Sequence, residues 1–143
     1  MGPNNNLYLG TQSGRIYNVN NINSSPNATE ITGNTMPLGN VSSIDFYSQG
    51  DTIAVTFSNY GIPSVWVTEN GGNSWTDSES NLPDMPIRWI VLHPDDPNHA
   101  LIATELGIWQ TNTLLSDEII WFQNADGMPN VRIDMLQMRD SDN

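Results

Sequence analysis

The sequence predicts an all-β chain made of short, repeated units, and three observations carry that reading. Apolar residues come in brief runs broken every few positions by Gly, Pro, Asn, Asp or Ser, and no window sustains the i, i+3, i+4, i+7 rhythm of a helix. Landmarks recur at a near-constant interval: Met36-Pro37, Met85-Pro86 and Met128-Pro129 stand 49 and 43 residues apart, and Val41, Ile87 or Val131 follows each within five positions. Trp66 and Trp109 are 43 residues apart, and Trp75 and Trp121, like Ile44 and Ile90, are 46 apart. A period of roughly 40–50 residues holding four strands is that of a β-propeller blade, a four-stranded antiparallel sheet that buries its faces only against neighbouring sheets.

The elements follow in order. Leu7–Gly10 and Arg15–Val19 form a hairpin across Thr11-Gln12-Ser13-Gly14, and the polar run from Asn18 to Asn27 reads as an extended surface loop before a weak strand near Thr29–Thr32. One complete blade, residues 41–78, comprises Val41–Tyr47, Thr52–Phe57, Ser64–Thr68 and Ser74–Asp77, all rich in β-branched and aromatic residues. The next, residues 87–124, comprises Ile87–Leu92, Ala100–Thr104, Ile108–Thr111 and Ile119–Gln123. Residues 7–40 supply the second, third and fourth strands of a blade, and Val131–Met138 reads as a first strand, so that 131–139 completes it. The whole chain, 1–143, is then one partial propeller domain of three blades. Rings hold roughly 4–8 blades, so two readings stay open. Either two chains join head to tail by strand exchange into a six-bladed homodimeric ring, or the chain is a piece of a longer propeller.

Composition removes several function classes. Sixteen acidic residues against four Arg and no Lys give a net charge of -12, which excludes the clustered basic surface that nucleic acid or an anionic membrane needs. No apolar stretch approaches the roughly 18 residues of a spanning helix, and Met1-Gly2-Pro3-Asn4 lacks the pattern of a signal peptide. With no Cys there is no disulfide, thiol nucleophile or thiolate metal site. If like-charged chains do associate, added salt should strengthen the assembly.

Thr68-Glu69-Asn70-Gly71-Gly72-Asn73-Ser74-Trp75 matches all five specified positions of the Asp-box: Thr68, Asn70, Gly72, Ser74 and Trp75. The residue types suit a tight hairpin, with Asn70 bonding its own backbone, glycines taking positive φ and Trp75 packing beneath the turn. On this motif, and on His93-Pro94-Asp95-Asp96-Pro97-Asn98 leading into the Gly107-Ile108-Trp109 strand, the chain resembles the BNR/Asp-box repeat propellers, a superfamily of sialidases, sortilin-type receptors and xyloglucanase-type hydrolases. The 87–124 blade departs from the pattern by lacking the glycines before Trp121, and the 7–40 stretch has no Trp. The resemblance implies a structural role for the Asp-box and a secreted or cell-surface location. It also implies a binding or scaffold module whose ligand, a glycan or peptide, sits at the channel mouth.

Candidate ligand-site residues are Arg88 and Arg132, read as equivalent positions one residue after Ile87 and Val131, together with Glu105, Tyr60 and Trp89. The mouth itself is assigned to Asn59–Pro63, Glu105-Leu106 and the segments before the two arginines. For the arginines the competing reading is ion pairing with acids such as Asp84 or Asp126. Glu105, Asp45 and Asp134 are the carboxylates open to an acid or base role, but glycoside hydrolysis needs two carboxyls about 5–9.5 Å apart, which no sequence spacing establishes. No catalytic residue is therefore assigned, and the alternative is part of a glycoside hydrolase whose carboxylates are shared between chains. A purely structural piece of a surface protein is the third reading. His93, His99, Asp95 and Asp96 fit no metal-binding spacing, so neither metal nor cofactor is expected. Three Asn-x-Ser/Thr triplets, at Asn23, Asn27 and Asn40, are weak glycosylation signals in a chain of 19 Asn.

Overall fold

The computed structural model describes residues 6–48, 50–124, 127 and 130–138. Among them there is no helix, and 11 strands form three antiparallel sheets, none of which closes on itself. The first sheet holds β1 (Leu7–Gly10), β2 (Ile16–Asn20) and β3 (Asn27–Glu30) in that order. In the second, β4 (Val41–Tyr47), β5 (Thr52–Phe57), β6 (Val65–Thr68) and β7 (Thr76–Asp77) run as a simple meander. The third repeats it with β8 (Ile87–His93), β9 (Asp96–Thr104), β10 (Gly107–Thr111) and β11 (Phe122–Asn124). Two departures from the sequence expectation follow. Residues 131–138 join no ladder among the described residues, and the fourth strands begin after Trp75 and Trp121 rather than before them.

Alternation along the strands decides which face meets which sheet. Ile53, Val55, Phe57 and Trp66 project from the second sheet toward Ile16, Tyr8 and Met36 of the first sheet and its following loop. Ala54, Val65 and Val67 leave its opposite face and pack with Ile90, Leu92, Ala100 and Ile102 of the third. The first two sheets approach so closely at one point that a Cβ on Gly10 would lie 2.3 Å from Val41 Cγ1. All of the strand residues Ile53, Ala54, Val55, Ile90 and Ile102 are fully buried, so apolar burial on both faces of the middle sheet is the main stabilising contribution.

The second and third sheets are each latched to the one before by a tryptophan. The Trp75 indole N–H donates to the carbonyl of Ile31, just past β3, at 2.8 Å. The Trp121 indole N–H donates to the carbonyl of Ser78, just past β7, at 3.0 Å. Asn81 then clamps Trp121, its Oδ1 accepting the Trp121 amide at 2.7 Å and its Nδ2 donating to the Trp121 carbonyl at 2.9 Å.

The Thr68–Trp75 turn between β6 and β7 explains the late start of β7. Thr68 Oγ1 donates to Asn70 Oδ1 at 2.9 Å and accepts the Gly72 amide at 3.0 Å. Asn70 Oδ1 also accepts the Ser74 amide at 2.9 Å, while Asn70 Nδ2 donates to Ser74 Oγ at 2.8 Å. With its amide bound inside the turn, Ser74 is withheld from the ladder, which resumes at Thr76 opposite Val67.

Candidate functional site

The strands β4 and β8 both open with a register slip, between Val41 and Ser43 and between Ile87 and Trp89. Ser42 and Arg88 are the extra residues, and a bulge re-aims a side chain. Ser42 Oγ hydrogen-bonds Thr56 Oγ1 at 2.9 Å and donates to the Ile87 carbonyl at 2.6 Å. Arg88 reaches the β9–β10 turn, where its Nε donates to Glu105 Oε1 at 3.0 Å and its Nη2 to the same oxygen. Arg132 Nε stands 4.0 Å from that oxygen and donates to Asp134 Oδ1 at 2.7 Å. The hydrogen bond that Arg132 donates to Asp134 is the main influence raising the Arg132 pKa.

Arg88, Glu105 and Arg132 are thus brought together, in a string of alternating charge that ends at Asp134. Of the acids expected as ion partners, Asp84 instead accepts the Gly61 amide at 2.7 Å, and Asp126 lies outside the described residues. The two arginines are not equivalent. The Val41 amide bonds the Thr11 carbonyl at 3.1 Å, and in the same relation to the next sheet the Ile133 amide bonds the Thr104 carbonyl at 3.0 Å. Ile133 therefore corresponds to Val41, which puts Asp134 at the place of Ser42 and Arg88, and Arg132 one residue before the strand position.

Tyr60 is 65% exposed on the β5–β6 loop. That loop is held at both ends: the Asn40 amide donates to Asn59 Oδ1 at 2.6 Å, and the Trp66 indole donates to the Pro63 carbonyl at 3.0 Å. Trp89, the other aromatic candidate, is half-buried. Trp89 lines a cleft of about 400 Å³ with Asp45, Phe46, His93, Leu136 and Met138, between β4, β8 and the 136–138 segment.

Asp45 was missed as a structural group. Its Oδ2 accepts the Leu92 amide at 2.7 Å and its Oδ1 its neighbour Phe46's amide at 2.9 Å, tying β4 to β8. No sequence signal marks such a bond, because a main-chain donor carries no residue identity. Burial raises the Asp45 pKa above its ordinary 3.8, and the two amides only partly offset that. A raised acid binds its proton more tightly when folded, so this group's contribution improves as pH falls through the folded pKa toward 3.8 and worsens above it. Relative to Asp45→Asn, the protein should therefore gain stability between neutral pH and about pH 4. Urea midpoints of both proteins across that range would show it, and parallel curves would rule it out.

His93 and His99 stack with ring centroids 5.3 Å apart, and no group of three or more His, Asp or Glu side chains suited to a metal occurs among the described residues. No protein-family model matches this chain, and no curated protein matches it either.

Proposed function

We propose that the chain is a stretch of Asp-box β-propeller acting as a non-catalytic binding or scaffold module. The blade reading is supported by three successive meanders, by the twice-used tryptophan latch, and by the Thr68–Trp75 turn, whose hydrogen bonds suit the Asp-box residues. In that reading the Asp-box holds the fold, and ligand, a glycan or peptide, meets the end that carries Tyr60, Arg88, Glu105 and Arg132. Trp89 would meet a ligand only inside the cleft.

One observation carries the preference for binding over hydrolysis: each carboxylate considered for acid or base work is already engaged. Glu105 is held by Arg88 and faces Arg132, Asp134 by Arg132, and Asp45 by two main-chain amides. A general acid or base needs a free line to the substrate, and a carboxylate already bound to a guanidinium or to main-chain amides does not offer one. A secreted or cell-surface setting goes with this proposal.

The test pairs a glycan array with a panel of chromogenic glycosides. Binding without turnover is expected, weakened about tenfold or more by Arg88→Ala, because a charge-assisted hydrogen bond contributes about 1.5–3 kcal/mol. Turnover that disappears in Glu105→Gln would establish the hydrolase reading instead.

A further inference from the structure

Among the described residues the first sheet lacks the inner strand that the other two sheets possess. Leu7 and Leu9 stand opposite Val19 and Tyr17, as Ile53 and Val55 stand opposite Thr68 and Trp66, and as Ala100 and Ile102 stand opposite Thr111 and Trp109. In the two complete sheets these positions are at most 1% exposed, whereas Leu7 is 38% and Leu9 43% exposed. What differs is the neighbour: β5 and β9 are each flanked by an inner strand, and the outer edge of β1 is unpaired among the described residues.

Residues 133–138 have the pattern of that missing strand. The Ile133–Thr104 bond repeats the one by which β4 begins beside the first sheet. Leu136 then follows Ile44 and Ile90 at steps of 46 residues. Like an inner strand, the segment runs beside β4 and β8, with Leu136 and Met138 half-buried in the cleft, while Met135 stays 63% exposed. It forms no ladder because no second strand stands beside it.

We infer that residues 133–138 complete the first sheet of a second copy of this chain, head to tail. The inference rests on the blade reading above and is independent of any ligand. Both complete sheets give the same register: Ile44 faces Val55 and Phe46 faces Ile53, and Ile90 faces Ile102 and Leu92 faces Ala100. Transposed, Leu136 faces Leu9 and Met138 faces Leu7, so the exposed leucines of β1 gain the cross-strand partners they lack. Within one chain the two segments cannot meet, since β4 packs beside β1, and β8 stands beyond β4.

The sheet faces continue the same order. The Leu7, Leu9 and Tyr17 face of the first sheet corresponds to the face by which the second and third sheets pack on their predecessors. The third sheet offers Leu101, Ile108 and Phe122 on the opposite face, Phe122 being 53% exposed. The packing used twice inside the chain is therefore available a third time between copies. Two chains satisfy both ends at once, giving six sheets in a closed ring, within the range of roughly 4–8 that such rings adopt.

Light scattering at micromolar concentration should give twice the 15.8 kDa chain mass, and a monomer or an open series of larger masses would overturn the inference. Register is tested by cross-linking, which the absence of Cys makes free of background. A Leu9→Cys chain mixed with a Leu136→Cys chain should form a disulfide-linked pair on mild oxidation. Leu9→Cys with Met135→Cys should not, because neighbouring residues of a strand face opposite ways. Absence of the first product overturns the inference even if the unmodified chain dimerises. Neither measurement involves glycan binding, so the ligand proposal fails or stands separately.

Discussion

Trp121→Ala is expected to destabilise the protein by about 3–5 kcal/mol, close to the whole stability of a marginal domain. Trp121 is 1% exposed and is the largest fully buried side chain described, packed with Leu82, Met85 and Leu114 between the second and third sheets. The surrounding seam cannot collapse into the cavity, because Asn81 holds the Trp121 backbone by two hydrogen bonds and the Ser78 amide is fixed to Val65. Trp121→Phe separates two contributions. It keeps most of the volume and strips the donor from the Ser78 carbonyl, for a loss of about 1–2 kcal/mol. Urea denaturation of both variants measures the difference, and a loss under about 1 kcal/mol for the alanine variant would show that this seam is not core.

The repeat of Trp75 and Trp121 was legible because side-chain identity recurs at a fixed interval, and the second and third sheets follow from it. Its purpose was not. Each indole is directed at a carbonyl, of Ile31 or Ser78, and carbonyls are alike at every residue. Both tryptophans were read as strand residues because aromatic residues favour strands, but the turns before them use their local backbone first. The stretch 131–138 likewise has strand composition, yet a ladder needs a second strand as well as a sequence.

The candidate site shows the same division. Tyr60, Arg88, Glu105 and Arg132 were singled out individually, while the pairing of Arg88 with Glu105 follows from strand register. Ile87 sits opposite Thr104, so the bulged Arg88 lies beside the turn that carries Glu105, 17 residues away. Proximity in the chain suggests acids such as Asp84 or Asp126 instead. Arg132 was matched to Arg88 by counting from the first β-branched residue after each Met-Pro. The segment joining that dipeptide to its strand varies in length, whereas positions within the strands, such as Ile44, Ile90 and Leu136, keep a constant step.

Gly72→Val is the second substitution expected to cost heavily, about 3–5 kcal/mol, and Gly71→Val beside it should cost only about 1–2 kcal/mol. Both glycines have positive φ, 68° at Gly71 and 95° at Gly72, so both variants carry the backbone strain of a β-branched residue in that region. They differ in what the new side chain meets. Nothing lies within 4 Å of a Cβ on Gly71, whereas one on Gly72 would lie 2.7 Å from the Ile31 Cβ. Ile31 has little room to withdraw, because its amide donates to the Ile16 carbonyl at 2.9 Å and its own carbonyl holds the Trp75 indole. The Gly72 side of the Thr68–Trp75 turn is therefore seated on the preceding sheet, and the same isoleucine receives both the turn and the tryptophan that ends it. Equal losses in the two variants, read from urea midpoints, would mean that backbone conformation alone sets the requirement for glycine. A larger loss at Gly72 means that this turn also fixes the spacing between sheets.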